Sequence, residues 1–207
     1  MPIETIFFDF GGVIIKTPSF KWVNRWKHLL GINDHPEILG MLENPHESQL
    51  VQDICIGKIP EDHMWVMMAE KWHIKPALIA QFRRRLFSKR QLNKRIVKFM
   101  AELHGQYQTA ILSNAGDQSR QLMEDTYQLQ NVVDEIIISA EEGVIKPDPQ
   151  IFEIAMDRLN TSPEVSLLLD DSLANIFSAR NFGMKAVQFI NNQQAIQAIQ
   201  DHLNGRV

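Results

Sequence analysis

The chain contains four short runs of apolar residues, and each run ends abruptly at polar residues. The runs lie at residues 3–8, 109–112, 135–138 and 165–169. They show little alternation between polar and apolar positions, which is typical of parallel strands that are covered on both faces. The pattern therefore predicts four buried strands, each followed by a polar loop.

The residues between and after these runs show the apolar spacing of helices. Helices are predicted at residues 93–104, 118–128, 149–159 and 173–181, and a further strand and helix at 185–190 and 193–203. Alternating strands and helices indicate an α/β fold with a parallel sheet, in which ligands bind beyond the carboxyl ends of the strands. We therefore predict a Rossmann-like core of three layers, with the polar loops at its ligand-binding edge.

The stretch after the first strand breaks this alternation, because it contains several helical patterns and no convincing strand. Residues 48–56 are one helical candidate, and apolar residues recur at helical spacing in two further groups. These groups are Phe20, Val23, Trp26, Leu29 and Leu30, and Met64, Met67, Met68 and Trp72. We predict an inserted, all-helical cap at about 18–90 and a core formed by 1–17 and 91–207. Such a cap would lie over the strand ends, where it can exclude water and contact a substrate.

Composition and charge narrow the classes of function. The length of 207 residues fits one domain with an inserted subdomain. A net charge of −4 argues against nucleic acid and anionic membranes as partners, because both attract strongly positive surfaces. The single cysteine, Cys55, cannot form an intramolecular disulfide, and its apolar neighbours indicate a buried, unreactive thiol. With no recognisable signal peptide or membrane-spanning run, the cytoplasm is the expected compartment, and the oligomeric state is open.

Four groups of polar residues lie at predicted strand ends or in the loops that follow them, and together they suit phosphoryl transfer. They are Asp9 with Gly11 and Gly12, Ser113 with Asn114, Lys146 before Pro147, and Asp170 with Asp171. A phosphate monoester carries about two negative charges near neutral pH, so a carboxylate nucleophile needs local neutralisation to approach it. Lys146 supplies a positive charge, and the three carboxylates offer the hard oxygen ligands that Mg²⁺ prefers. Alone, Asp9 is more typical of a turn, Lys146 of a solvated surface charge, and the other two groups of helix caps. The four in this order favour catalysis.

In these motifs the sequence resembles the haloacid dehalogenase superfamily, in the branch with a helical cap after the first strand. The matching segments are FFDFGGVI at Asp9, ILSNAG at Ser113, GVIKPDPQIF at Lys146 and LLLDDSLANIFSARNFGM at Asp170. The resemblance covers nearly the whole chain. It implies a hydrolase in which Asp9 attacks phosphorus and forms an aspartyl-phosphate that water then hydrolyses.

The resemblance also assigns roles to individual positions. It implies a Mg²⁺ site formed by Asp9, the backbone carbonyl of Gly11, Asp170 and Asp171, with Asp171 the more direct ligand of the acidic pair. It places Ser113 and Lys146 with Asp9 in the catalytic set, where both would also bind the phosphate. Asn114 and Asn175 match positions that support the phosphate and the surrounding loop.

One position departs from the pattern of most phosphatases in this superfamily, which carry a second Asp two residues after the nucleophile. Here that position is Gly11. General acid–base help is worth about 10² to 10⁴ in rate, so the absence of the second Asp needs an explanation. Three explanations stay open. The leaving group needs little protonation, as in an acyl phosphate or a sugar 1-phosphate; another group from the cap or solvent transfers the proton; or the chemistry is different or lost. The loop resembles that of bacterial glucose-1-phosphate phosphatases, which favours the first two.

The leading prediction is a Mg²⁺-dependent phosphatase that acts on a small phosphorylated metabolite, with sugar phosphates among the candidates. A 2-haloacid dehalogenase, which attacks through the same first Asp without a metal, is less favoured because both Asp170 and Asp171 are present. A non-catalytic binding or regulatory domain is the third alternative. A basic run at 83–95 is interpreted as the solvated face of a helix whose buried side carries Phe82, Leu86 and Phe87, and the histidines lack zinc-ligand spacing.

Overall fold

The computed structural model describes residues 1–16, 48–88 and 91–206 of the chain. Its strands are β1 (Thr5–Phe8), β2 (Ile15–Lys16), β3 (Gln91–Leu92), β4 (Gln108–Ser113), β5 (Glu135–Ile138), β6 (Ser166–Asp170) and β7 (Lys185–Gln188). Its helices are α1 (Gln49–Cys55), α2 (Glu61–Lys71), α3 (Pro76–Ser88), α4 (Lys94–Leu103), α5 (Ser119–Gln121), α6 (Ser139–Glu142), α7 (Pro149–Leu159), α8 (Leu173–Phe182) and α9 (Asn192–Leu203).

Five strands form one parallel sheet in the order β5-β4-β1-β6-β7. Successive residues of β1 point to opposite faces, as the period of a strand requires. Ile6 and Phe8 join a core cluster with residues of α4 and α9, whereas Phe7 joins a cluster with residues of α7 and α8. The sheet is therefore covered by helices on both faces, and the predicted three-layer α/β architecture is confirmed.

Two features of the fold differ from the prediction. The pattern at 118–128 forms only one α-helical turn, α5, followed by a π-helical turn at Leu122–Thr126 in which Tyr127 N donates to Leu122 O. The antiparallel pair of β2 and β3 was not predicted, because two residues per strand are too few to show an alternating pattern. This pair joins the residues that precede and follow the stretch predicted to form the cap.

Helices α1, α2 and α3 pack around a hydrophobic cluster of their own, which includes Trp65, Met68 and Phe82. This helical segment lies against the loop that follows β4 and against α6. Glu61 N donates to Asp117 Oδ1 at 2.9 Å, and a Cβ at Gly57 would lie 2.3 Å from the carbonyl oxygen of Ala140. The cap boundaries at 18 and 90 stay a prediction, and the helical pattern at 20–30 falls outside the described residues.

Two expectations from composition can be compared with the described residues. Cys55 lies at the end of α1 and is half-buried rather than fully buried. Burial, helped by the nearby Glu61 carboxylate, raises the pKa of its thiol to about 11, so the reactive thiolate is rare at neutral pH. None of the helices in the described ranges combines the length and the apolar character that a membrane span requires.

Candidate active site

The strand order brings the predicted site residues to one edge of the sheet. β1 lies between β4 and β6, and Phe8 is in register with Ile111 on one side and Leu169 on the other. Asp9 directly follows β1, and its backbone N–H donates to Leu169 O at 2.8 Å. Ser113 and Asp170 end the two flanking strands, and both are buried. The carboxyl ends of three adjacent strands therefore carry Asp9, Ser113 and Asp170 as neighbours.

Lys146 lies at the centre of this edge and is only 2% exposed. Its Nζ donates to Asp9 Oδ1 at 2.7 Å, to Asp170 Oδ2 at 2.7 Å and to the backbone carbonyl of Leu112 at 2.6 Å. These three acceptors satisfy the three N–H groups of the ammonium. Lys146 is therefore held at a fixed point between the two carboxylates.

Hydrogen bonds fix the loop that carries Lys146, both at Lys146 itself and at the start of the helix that follows. The Asn114 side-chain amide accepts from Lys146 N and donates to Lys146 O, both at 2.7 Å. After the loop, the Asp148 carboxylate caps α7 by accepting from Gln150 N at 2.9 Å, with Pro149 as the first helical residue. An Asp at the N-cap followed by Pro at the first helical position is a common start of a helix.

Asp170 is fully buried and is oriented by the start of α8. The Asn175 side-chain amide lies 3.0 Å from both Asp170 oxygens, and Ser172 N donates to Asp170 Oδ1 at 2.8 Å. Asn114 and Asn175 thus hydrogen-bond to protein groups of the site. Their predicted support of the phosphate stays a prediction.

The site holds three carboxylates and one buried ammonium. Burial, together with the Asp170 and Asp171 charges, raises the pKa of Asp9 to about 7 despite the lowering effect of Lys146. Burial alone would lower the pKa of Lys146, but Asp9 and Asp170 outweigh it and the pKa is raised. Each of Asp9, Asp170 and Asp171 offers a carboxylate oxygen, and these oxygens lie within 4.8 Å of one another. The uncompensated negative charge and the hard oxygen donors fit a divalent cation such as Mg²⁺.

The two glycines that follow Asp9, Gly11 and Gly12, have different surroundings. Gly12 has a φ of +80°, and a Cβ on it would lie 2.0 Å from Asp171 Oδ2, so the Asp171 carboxylate packs directly on the loop. A Cβ on Gly11 would meet no atom within 4 Å. Gly11 therefore leaves room for a side chain, whereas Gly12 is required by both its conformation and its neighbour.

The raised pKa of Asp9 predicts that Mg²⁺ stabilises the protein more strongly as the pH rises. The ordinary pKa is 3.8, so between that value and about 7 the folded protein holds a proton that the unfolded chain has lost. Without metal, the contribution of Asp9 to stability therefore falls as the pH rises through this interval. Mg²⁺ binds the ionised carboxylates, so the Mg²⁺-induced rise in unfolding temperature should be larger at about pH 8 than at about pH 6. Asp9→Asn should remove this difference, and an equal rise at both pH values in the wild type would contradict the prediction.

Arg83 of the basic run forms a contact between the helical segment and the core. The Arg83 guanidinium lies 2.5 Å from the Asp62 carboxylate, donates to Gln118 Oε1 at 2.8 Å and lies over the Trp65 ring. Arg83 also borders a cavity of about 300 Å³ between the helical segment and the residues that follow β4. Phe82 is buried, as predicted, while the Phe87 side chain, Lys89 and Arg90 fall outside the described residues.

Sequence reasoning missed two groups that shape the site. One is the Leu112 carbonyl, which accepts from Lys146 and has no side-chain signal. The other is Asn93, whose side chain donates to Val13 O in the loop that follows Asp9. An Asn directly before a predicted helix is ordinarily interpreted as an N-cap, so only the observation that it does not cap α4 could have revealed this role.

Comparison with known proteins agrees with this fold. A sequence model described as haloacid dehalogenase-like hydrolase matches residues 6–189. The chain is 28% identical to bifunctional epoxide hydrolase 2 of Mus musculus. The match covers 97% of this chain but only 39% of that protein. It is 24% identical to D-ribitol-5-phosphate phosphatase of Bacteroides thetaiotaomicron, covering 90% of this chain and 91% of the relative.

A solved structure shares the fold along most of both chains. It is a HAD family enzyme from Bacteroides thetaiotaomicron in complex with magnesium and inorganic phosphate. The TM-score is 0.73 at 18% identity, and the match covers 90% of this chain and 93% of that chain. The narrower resemblance to glucose-1-phosphate phosphatases stays a prediction.

Proposed function

Because this chain belongs to the haloacid dehalogenase-like hydrolase family, we propose that it is a Mg²⁺-dependent phosphohydrolase that acts on a small phosphorylated metabolite through Asp9. The observation that supports this most is the charge balance around Asp9. Lys146 is bonded to Asp9 and Asp170, yet one ammonium cannot neutralise three carboxylates that share one site. Such a site needs a divalent cation before a phosphate dianion can approach the nucleophile.

In the proposed reaction an Asp9 carboxylate oxygen attacks phosphorus. The new oxygen–phosphorus bond forms as the bond to the leaving oxygen breaks, and the electron pair departs with that oxygen. Water then attacks the aspartyl-phosphate, which releases inorganic phosphate and regenerates the carboxylate. Lys146 keeps Asp9 oriented and offsets negative charge, and Ser113 holds a phosphoryl oxygen. A Mg²⁺ ion held by Asp9, Gly11 O and Asp171, with Asp170 as the less direct ligand, would neutralise charge on the transferring phosphoryl group.

Two comparisons support a phosphatase over a dehalogenase. The relative named D-ribitol-5-phosphate phosphatase matches along nearly its whole length, and the solved enzyme that shares the fold binds magnesium and phosphate. The presence of both Asp170 and Asp171 agrees with a metal-dependent reaction. These observations favour a small phosphorylated substrate and do not choose among substrates.

A panel of substrates tests the proposal. Phosphate release should be measured from p-nitrophenyl phosphate, acetyl phosphate, sugar phosphates and polyol phosphates, with Mg²⁺ and with EDTA. We expect turnover of at least one substrate that depends on Mg²⁺. Chloride release from 2-chloropropionate without metal would favour the dehalogenase, and Mg²⁺ binding without turnover on the whole panel would favour a binding domain.

Gly11→Asp tests whether an absent proton donor limits the reaction. A Cβ added at Gly11 meets no heavy atom within 4 Å, so a side chain can begin there without displacing neighbours. We expect kcat/KM to rise by up to about 100-fold for alkyl phosphates, whose leaving oxygen needs a proton, and to change little for acetyl phosphate. Gly11→Asn is the matched control, because it has nearly the same size and cannot donate a carboxyl proton. An equal change for all leaving groups would contradict this explanation.

A further inference from the structure

Asn93 forms a buried amide clasp, which we define as the contacts among Asn93, Asn192 and the carbonyl of Val13. Asn93 Nδ2 donates to Val13 O at 2.9 Å and to Asn192 Oδ1 at 2.7 Å. Asn192 Nδ2 donates in return to Asn93 Oδ1 at 3.0 Å. Asn93 is 4% exposed and Val13 is fully buried. The clasp therefore joins Asn93 to partners 80 and 99 positions away. Its bond to Val13 O is buried, and its bonds to Asn192 are partly buried.

Because the Asn93 side chain forms the clasp, it does not cap the helix that it precedes. Asn93 is the N-cap of α4, but its side chain makes no capping bond to that helix. An N-cap bond would satisfy one of the unpaired N–H groups of the first turn. The Asn93 amide instead bonds to the loop and to α9, while its backbone N–H donates to Ile14 O at 2.8 Å. Asn93 thus holds two successive carbonyls, those of Val13 and Ile14.

These two carbonyls belong to the tight loop that follows the nucleophile. Within it, Phe10 O accepts from both Ile14 N and Ile15 N, and Gly12 N donates to Ile15 O at 2.9 Å. Because the loop is closed on itself, fixing Val13 and Ile14 also fixes Gly11 and Gly12. Gly12 in turn packs against the Asp171 carboxylate.

The other end of the clasp reaches the opposite side of the site. Asn192 is the first residue of α9, which follows β7, and β7 pairs with β6 at Asp170. Phe189 N donates to Asp170 O at 2.8 Å, so the start of this connection is bonded to the acidic strand end. The clasp therefore links the nucleophile loop to the part of the sheet that carries the acidic pair.

We propose that Asn93 is a positioning residue that sets the distance between the Gly11–Gly12 loop and Asp171, and so the shape of the cation site. The inference rests on the proposed Mg²⁺-dependent function for its catalytic consequence, but its effect on Mg²⁺ binding can be measured without turnover. Asn93 touches neither substrate nor cation and acts through Val13.

A matched pair of isosteric variants separates this role from general support of the fold. Asn93→Asp cannot donate to Val13 O, whereas Asn192→Asp keeps its acceptor for Asn93 Nδ2 and leaves the bond to Val13 in place. Each variant puts one carboxylate into the same clasp. Mg²⁺ affinity should be measured by titration calorimetry with MgCl₂ alone, beside unfolding temperature and the kcat and KM of phosphate release.

We expect Asn93→Asp to weaken Mg²⁺ binding by about 10-fold and to lower kcat more than it changes KM for substrate, since groups that orient metal ligands have effects of this size. Asn192→Asp should lower the unfolding temperature to a similar extent but change Mg²⁺ affinity less than about twofold. Asn93→Ala, which adds no charge, should reproduce the loss of affinity if Asn93→Asp does not fold.

Three results would overturn the proposal. They are an equal loss of Mg²⁺ affinity in Asn93→Asp and Asn192→Asp, unchanged affinity in both Asn93 variants, and a wild-type protein that does not bind Mg²⁺. A wild-type protein that binds Mg²⁺ without releasing phosphate from any substrate would contradict the proposed function alone, because calorimetry would still measure the effect of the clasp.

Discussion

Asp9→Asn is expected to lower kcat for phosphate release by at least about 10⁴-fold, because an amide cannot act as the attacking nucleophile. The fold should remain intact, since Asn is isosteric with Asp and the Lys146 ammonium keeps its bonds to Asp170 and Leu112 O. Removing a buried carboxylate with a raised pKa also relieves repulsion with Asp170 and Asp171. Steady-state kinetics with Mg²⁺ and thermal unfolding of both proteins check the two expectations.

Asp201→Asn is a suitable control for this change. Asp201 lies on α9, far along the chain from the site residues, and pairs with the exposed Arg206 at 3.6 Å. Exposed pairs of this kind contribute little to stability, so activity and unfolding temperature should stay near wild type. If Asp9→Asn kept more than a tenth of the wild-type kcat, Asp9 would not be the nucleophile.

Gly12→Ala is expected to reduce activity by about 100-fold or more and to weaken Mg²⁺ binding. A Cβ at this position would lie 2.0 Å from Asp171 Oδ2, so either the loop or the Asp171 carboxylate must move. The φ of +80° adds backbone strain, because a residue with a Cβ disfavours this conformation. Mg²⁺ titration by calorimetry and the Mg²⁺ dependence of kcat measure the result.

Gly11→Ala provides a control one residue away in the same loop. Its Cβ meets no atom within 4 Å, and Gly11 is not among the glycines with positive φ, so the change should alter Mg²⁺ affinity by less than a few-fold. Equal effects of Gly11→Ala and Gly12→Ala would indicate that the loop as a whole needs glycine. The contact between Gly12 and Asp171 would then not explain the loss.

Much of the core could be predicted because its signals are local. Helix α7 was predicted with its observed bounds, since Asp148 and Pro149 specify an N-terminus and apolar residues follow at helical spacing. The apolar runs of β1, β4, β5 and β6 were found to within two residues of their observed ends. The π-helical turn after α5 was missed, because its apolar spacing is nearly that of an α-helix.

The candidate site was only partly visible in the sequence. Polar residues that follow parallel strands must gather at one edge, so Asp9, Ser113 and Asp170 could be expected to meet. Lys146 could be assigned to the site by resemblance, but its bonds to Asp9, Asp170 and Leu112 O depend on a loop that Asn114 fixes from another strand end. The Asn93 side chain could not be assigned at all, because its partners lie 80 and 99 residues away.

The sequence by itself therefore determined the alternation of strands and helices, the family resemblance and the residue types that the site contains. Only the tertiary structure decided the strand order β5-β4-β1-β6-β7, the contact between Gly12 and Asp171 and the raised pKa of Asp9. The physical reason is the sequence separation of the residues that interact. Periodicity and capping act between residues a few positions apart, whereas burial, charge coupling and the amide clasp depend on packing between distant segments.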